Sequence, residues 1–344
     1  MLAAIKSLVK RAAAQGERPA VSQPAYSLEQ DGRVMSILGR EGLEFSRRLE
    51  RAKRVDPNKF YEAIDAIIQS TPDELQREYG LLHRRRFFEL FNLSAELIAD
   101  VERPLVLEFG VGEHTRLYKA ILPGVRIHTV EYPDRYGTGG LNVDQSYELD
   151  LSLRTSRDAA PIQRASYDLV IFAEVLEHLM ANPVEIIEWL LSLVKPGGYL
   201  LLTTPNMFAK QAMPVYLSYD NPLAPFPIEE TRALGQAHLR EYSHIELLRF
   251  VQAAGGVTKA LIFSSCWDDD ETLAPVERKN LILVATPPCS SPQCRRALDD
   301  VIRRLGIAEA LSEHAIEAVA LRLIDEIRFS SKLGARNRAP LQPR

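Results

Sequence analysis

Apolar positions along this chain change period partway through. Up to about residue 100 they recur at helical spacing, in 59-KFYEAIDAIIQ-69 and 83-HRRRFFELFNLSAELIAD-100, and no run there reads as a strand. From Pro104 onward, short apolar runs alternate with helical stretches. The runs 105-LVLEF-109, 126-RIHTVE-131, 167-YDLVIFA-173 and 199-YLLLTT-204 read as strands. Between the last two, 183-PVEIIEWLLSLVK-195 starts on proline and is closed by 196-PGG-198, the start and stop signals of a helix. Strands separated by helices predict an α/β fold with a mostly parallel sheet flanked by helices.

Farther along, Ser243 with Glu246 three residues on makes a capping box for a helix over 243-SHIELLRFVQAAGG-256. Two strand-like runs follow, 258-TKALIFSS-265 and 279-KNLILVAT-286. The acidic connection between them, containing 268-DDDE-271, predicts an antiparallel hairpin at the sheet edge. After Pro287 and Pro288 the pattern is helical again, in 295-RRALDDVIRRLG-306 and 308-AEALSEHAIEAVALRLIDEIRF-329, and the tail from Ser330 has too little apolar content to pack. The chain therefore divides into a helical accessory region over 1–100, an α/β unit over 101–290 and a helical extension over 291–344.

Charge and composition narrow the class. With 42 basic against 46 acidic residues the formal charge is −4, which argues against a generally polybasic nucleic-acid binder. The 46% hydrophobic and 26% charged content is that of an ordinary globular protein. No apolar run approaches the roughly 20 residues of a bilayer span. Three scattered cysteines, Cys266, Cys289 and Cys294, lack the second pair of a zinc site and suit a reducing, cytoplasmic location. Residues 1–15 set Leu2, Ile5, Leu8, Val9 and Ala12 at helical spacing among Lys6, Lys10 and Arg11. This segment is expected to dock on protein, with a weak membrane-surface contact as the alternative.

The sharpest chemical signal is 105-LVLEFGVGEHT-115, where an apolar strand delivers Glu108 and then Gly110 and Gly112 into a turn. Glycines there let the backbone approach a ligand without a Cβ in the way. Glu131 ends the next strand 19 residues after Gly112, near the spacing of a ribose-binding acid. A dinucleotide fingerprint would place a third small residue where Thr115 stands, and Glu108 and Glu113 would repel a pyrophosphate. A zwitterionic amino-acid tail suits this loop better.

These segments resemble the class I S-adenosylmethionine-dependent methyltransferases in order and spacing, over about residues 100 to 290. The resemblance implies a doubly wound, Rossmann-like seven-stranded sheet and S-adenosyl-L-methionine as cofactor. It implies that Glu108, Gly110 and Gly112 hold the methionine part, Glu131 the ribose and Asp150 of 147-YELDLS-152 the adenine side. The passages 167-YDLVIFAEVLEHL-179, 195-KPGGYLLLTTPN-206 and 238-HLREYSHIELLRFVQAAGG-256 are similar to later parts of the family, and Glu174 would touch the cofactor. His114 departs from the pattern, standing where many members have a third glycine.

In 174-EVLEH-178, a helix would put Glu174, Glu177 and His178 on one face. Such a group can bind a divalent cation, position an acceptor hydroxyl or take its proton. Ubiquinone-pathway O-methyltransferases and small-RNA 2′-O-methyltransferases carry a similar E-x-x-E-H and use it with a metal, the RNA enzymes with a later histidine as well. His238 holds the position of that histidine. Yet a similar H-x-R-E-Y occurs in many relatives with small or glycan acceptors and no assigned metal, so no metal ligand is assigned here. His178 and His238 are the candidate catalytic bases. His244 is expected at the surface in its helix's first turn. Tyr216, Tyr219 and Phe226, in the long segment 207–237, are candidates for lining the acceptor pocket. The expected reaction is O-methylation of a small molecule or sugar. The alternatives are an RNA methyltransferase with 47-RRLERAKR-54 and 83-HRRR-86 at the pocket mouth, and a non-catalytic binding protein with the same fold.

Overall fold

The computed structural model describes residues 26–122, 124–133, 141–218, 223, 238–264, 266 and 273–288. The first fifteen residues, the extension over 291–344, Tyr219, Phe226, Cys289 and Cys294 lie outside them.

Seven strands form one sheet in the order β3-β2-β1-β4-β5-β7-β6. They are β1 (Leu105–Phe109), β2 (Arg126–Glu131), β3 (Gln145–Glu148), β4 (Tyr167–Ala173), β5 (Val194–Pro205), β6 (Val257–Ser264) and β7 (Asn280–Thr286). All pairings are parallel except those of β7, which runs antiparallel between β5 and β6. The sheet is the doubly wound, mostly parallel one expected, and its last two strands are the predicted hairpin. The sequence pattern missed β3: only Tyr147 among its four residues is apolar, and none is buried.

Central strands of such a sheet are covered on both faces, so their residues are apolar without alternation. Along β1 and β4, neighbouring residues serve opposite sides. Leu107, Phe109, Val170 and Phe172 join Trp189, Leu190 and Leu247 in one apolar cluster, while Val106, Leu169 and Ile171 join Phe60, Phe91 and Ile127 in another. Helices α1 (Gly32–Glu50), α2 (Pro57–Ser70) and α3 (Glu74–Leu97) precede the sheet, and Asp31, Asp56 and Asp73 cap them by accepting backbone N–H bonds. Phe60, Ile64 and Ile68 of α2 and Phe87, Leu90 and Phe91 of α3 fill the second cluster. α1 guards the edge strand. Its Ser46 Oγ accepts the Leu261 N–H of β6 at 3.0 Å, satisfying a donor that an open edge would leave exposed. To reach there α1 kinks at Gly39 (φ 66°, ψ −179°), a conformation restricted to glycine.

After β1, a 3-10 turn (Glu113–Leu117) leads into the short α4 (Tyr118–Ile121), and α5 (Arg154–Ala159) precedes β4. Helices α6 (Pro183–Leu193) and α8 (His244–Ala253) pack on the first cluster, and the short α7 (Met213–Leu217) follows β5. The Ser243–Glu246 capping box is formed as read from the sequence. His244 is not a surface residue: it is 3% exposed, because Tyr26 packs over it and places its hydroxyl 2.6 Å from Nε2. No helix among the described residues is long and apolar enough to cross a membrane.

Candidate active site

Ligands of open α/β sheets bind at the carboxyl ends of the strands, beside the point where strand order reverses. Here β1 and β4 diverge there, and Gly110, Glu131 and Glu174 follow from or end β1, β2 and β4. Gly110 turns with φ 79°, and a Cβ on it would lie 3.1 Å from Val175. Glu131 is buried, its carboxylate accepting the N–H groups of Val111 and Tyr132 at 2.9 Å each. The ribose-acid candidate is thus fixed against the glycine turn by the turn's own backbone. Asp150 follows β3, half-buried, accepting the Ser152 N–H at 2.9 Å.

Glu108 is placed differently. It is 1% exposed, and its oxygens receive His114 Nε2 at 2.9 Å, the Thr115 hydroxyl at 2.8 Å and the Tyr118 hydroxyl at 2.7 Å. Burial and Glu108 together push the Tyr118 phenol far above its ordinary pKa, so it stays a donor. Glu108 therefore braces the loop from beneath. His114, the departure from the family pattern, belongs to the same brace and stacks on Phe87 of α3 with ring centroids 4.3 Å apart. Thr115 also accepts the Gly112 N–H at 3.1 Å, which fixes the second glycine.

Over 174–178, directly after β4, the chain makes no α-helix. Glu174 sits in the left-handed region (φ 55°), and one 3-10 turn, Leu176–His178, follows. The helical face expected to join Glu174 with Glu177 and His178 is therefore broken. A non-glycine residue held at positive φ stores strain that its surroundings must offset, and Glu174 is well held. Oε1 accepts the Thr203 hydroxyl at 2.7 Å and the Asn280 amide at 2.8 Å, and Oε2 pairs with Arg86 Nη1 of α3 at 2.9 Å. Arg86 also donates to the Tyr79 hydroxyl at 2.9 Å.

Glu177 points elsewhere. Its side chain is fully buried, Oε2 accepts the Thr204 hydroxyl at 3.0 Å, and Oε1 has no hydrogen-bond partner. Burial and, second, the Glu174 carboxylate raise its pKa well above the ordinary value. The Glu177 carbonyl accepts the N–H of Leu239 at 2.8 Å, which ties the segment carrying His238 to the 3-10 turn. The His178 and His238 rings meet edge to face at 5.1 Å. His238 Nδ1 lies 3.1 Å from Glu241, whose charge also raises the Tyr216 phenol, after burial. One ligand atom from each of Glu177, His178 and His238 lies within 4.8 Å of the others, a set able to hold a divalent cation; Glu174 is outside it. Of the arginine clusters, Arg86 reaches this crevice, whereas Arg84 pairs with Asp65 at 3.1 Å and Arg47 with Glu29.

Comparison with known proteins identifies the family. Residues 25–255 match the model of the methyltransferase domain family. The chain belongs to that family, whose cofactor is S-adenosylmethionine. Within it, the ubiquinone biosynthesis O-methyltransferase of Photobacterium profundum is 38% identical over 63 residues, 18% of this chain and 26% of that protein. The same enzyme of Xanthomonas campestris is 38% identical over 65 residues, 19% of this chain and 27% of that protein. The chain thus spans about a quarter of the length of these curated relatives. Among solved structures, an S-adenosylmethionine-dependent methyltransferase of Thermotoga maritima covers 65% of this chain and 99% of its own, at 15% identity and a TM-score of 0.40.

Proposed function

We propose that this methyltransferase transfers the methyl group of S-adenosylmethionine to a hydroxyl oxygen of a small molecule or sugar. An acceptor oxygen attacks the methyl carbon in line, the carbon–sulfur bond breaks with its electron pair passing to sulfur, and the hydroxyl proton departs. The sulfonium is already a good leaving group, so alignment in a dry pocket accounts for most of the acceleration. In this reading Gly110 and Gly112 give the amino-acid end of the cofactor close access to backbone, Glu131 accepts the ribose hydroxyls and Asp150 lies on the adenine side. Glu108 keeps the glycine turn in shape, and Glu174 shapes the strand end beside the methyl group.

The observation that carries the acceptor class is the meeting of Glu177, His178 and His238 where the strands end. Proton removal is the one step of hydroxyl methylation that the sulfonium does not assist, and these are groups able to assist it. His178 and His238 can receive the proton, with Glu241 orienting the His238 ring. The same three residues fit a divalent cation, since Glu177 brings an oxygen with no hydrogen-bond partner and each imidazole a nitrogen. Such an ion, when bound, supplies a Lewis acid that lowers the pKa of a nearby hydroxyl. The partial likeness to ubiquinone-pathway O-methyltransferases supports oxygen as the methylated atom. That Arg84 and Arg47, outside the crevice, are paired with Asp65 of α2 and with Glu29 ahead of α1 supports a small acceptor over RNA.

Calorimetry with S-adenosylmethionine and its demethylated product, followed by a transfer screen over hydroxylated and amine-bearing metabolites, tests this reading. Binding of both and transfer to hydroxyls is the expected result. Transfer to amines alone, or to added RNA with steep loss as salt rises, overturns it.

A further inference from the structure

We propose that the acceptor is a polyhydroxylated molecule, a sugar, and that Tyr79 of α3 and Asn280 of β7 select it. One face of the sugar lies against the Tyr79 ring, and a hydroxyl neighbouring the methylated one donates to Asn280 Oδ1. This rests on the proposed transfer to a hydroxyl and names the class of molecule that carries it.

The first observation is a polar strip on a face that is otherwise apolar. Leu201 of β5, Ile282 of β7 and Ile262 of β6 belong to the cluster filled by α2 and α3. Residues two apart on a strand share a face, so Thr203, Asn280 and Ser264 carry that face to the strand ends. Asn280 stands opposite Ser264 in the ladder, and the Ser264 hydroxyl donates to Glu89, which holds α3 over the strip independently of Arg86. Polar side chains buried in place of a further apolar layer cost stability unless their hydrogen bonds are met. Thr203 and Ser264 meet theirs, whereas Asn280 meets only part of its own.

The second observation is a chain of hydrogen bonds open at both ends. The Tyr79 oxygen accepts from Arg86 at 2.9 Å, Arg86 pairs with Glu174 at 2.9 Å, and Glu174 accepts the Asn280 amide at 2.8 Å. Tyr79, accepting from the guanidinium, keeps its own hydrogen to give. Asn280 Oδ1 has no hydrogen-bond partner although the residue is 2% exposed, and the amide cannot be reversed because its NH₂ faces a carboxylate. That oxygen is covered, so a ligand hydroxyl meets it as the side chains around it shift. A ligand closing the chain offers an acceptor at one end and a donor at the other. Hydroxyls on separate carbons of a sugar do both; a phenol, with its one hydroxyl given to the methyl group, does neither. Tyr79 packs against His83 with ring centroids 3.9 Å apart and is still 52% exposed, which leaves ring surface for the C–H groups of a sugar. Because Asn280 touches Glu174, which the proposed function sets beside the methyl group, the hydroxyl it receives neighbours the reacting one.

The transfer screen, run on the full chain with methyl pyranosides of glucose, galactose, mannose and rhamnose, their monodeoxy derivatives, and phenols for comparison, tests the assignment. Transfer to a glycoside in preference to every phenol is expected. Tyr79→Ala and Asn280→Ala should each raise KM for that glycoside about tenfold or more, without a matching fall in kcat. One monodeoxy derivative that keeps the methylated hydroxyl should be a poor acceptor for the unaltered chain and lose no more with Asn280→Ala, since the missing hydroxyl then leaves nothing unpaired. If Asn280→Ala lowers kcat for all acceptors alike at unchanged KM, Asn280 is structural and the assignment falls. Unchanged KM in Tyr79→Ala overturns it as well, and this arm, on an exposed residue, stands if Asn280→Ala fails to fold. If the hydroxyl acceptors found are all phenols or other compounds with a single hydroxyl, this inference falls and hydroxyl methylation stands; if no hydroxyl is methylated, both fall.

Discussion

Glu108, one residue before the end of β1, and Glu131, at the end of β2, lie on neighbouring strands and have different surroundings. One is enclosed by His114, Thr115 and Tyr118, and the other accepts one backbone N–H from the glycine turn, that of Val111, and one from Tyr132 beside it. Glu131→Ala should therefore weaken S-adenosylmethionine binding in calorimetry by roughly ten- to a hundredfold, the loss of a hydrogen bond to a charged group being worth about 1.5–3 kcal/mol. Unchanged affinity would remove it from the ribose. His178→Ala should lower turnover more than cofactor affinity, and the reverse pattern would make it a structural residue. At this scale the glycines, Glu131, His178 and His238 were legible because their spacing within the chain is itself the signal. Arg86, Thr203 and Asn280 were not. Their role depends on contacts 29 to 106 residues apart, and Arg86 stood in a basic run that reads as a solvated helix face.

Among the described residues, elements with strong periodicity formed where their patterns placed them, and the 174–178 stretch, whose shape depends on one backbone angle, did not. The 174–178 stretch has the side-chain spacing of a helix, but its left-handed first residue limits it to one 3-10 turn. α1 is the converse case, a helix continued across Gly39 in a conformation that other residues avoid. Gly39→Ala should destabilise the fold by about 1–3 kcal/mol in urea unfolding, although nothing stands within 4 Å of the added methyl. A neutral change would mean that α1 can cover β6 without the kink. The contact of Tyr26 with α8 adds a pH dependence. Burial lowers the pKa of His244 from 6.5 to about 4, so between these values the unfolded chain binds more protons and stability rises with pH. The contribution is complete above pH 6.5 and lost as pH falls toward 4, an effect of about 3 kcal/mol by linkage. His244→Leu should flatten that slope in unfolding curves measured from pH 4 to 7; an unchanged slope would assign it to other groups.

For the molecule as a whole, alternation of strand and helix announced the parallel sheet, and the family likeness supplied the strand number. What composition could not reveal is how the amino-terminal helices are used. α2 and α3 fill one face of the sheet, and α1 closes its edge. A chain beginning at residue 101 should therefore expose that face and lose its cooperative melting transition, whereas removal of residues 1–15 should leave the transition in place. A sharp transition in the shorter chain would show that the α/β unit is self-sufficient. The position of β7 has its own bearing on biogenesis. Asn280, on the last of the described strands to be translated, lies on a strand set between two earlier ones and holds Glu174. A nascent polypeptide emerging from the ribosome thus lacks a finished crevice until nearly all of the sheet has been made, and premature termination before that strand yields no partly active enzyme.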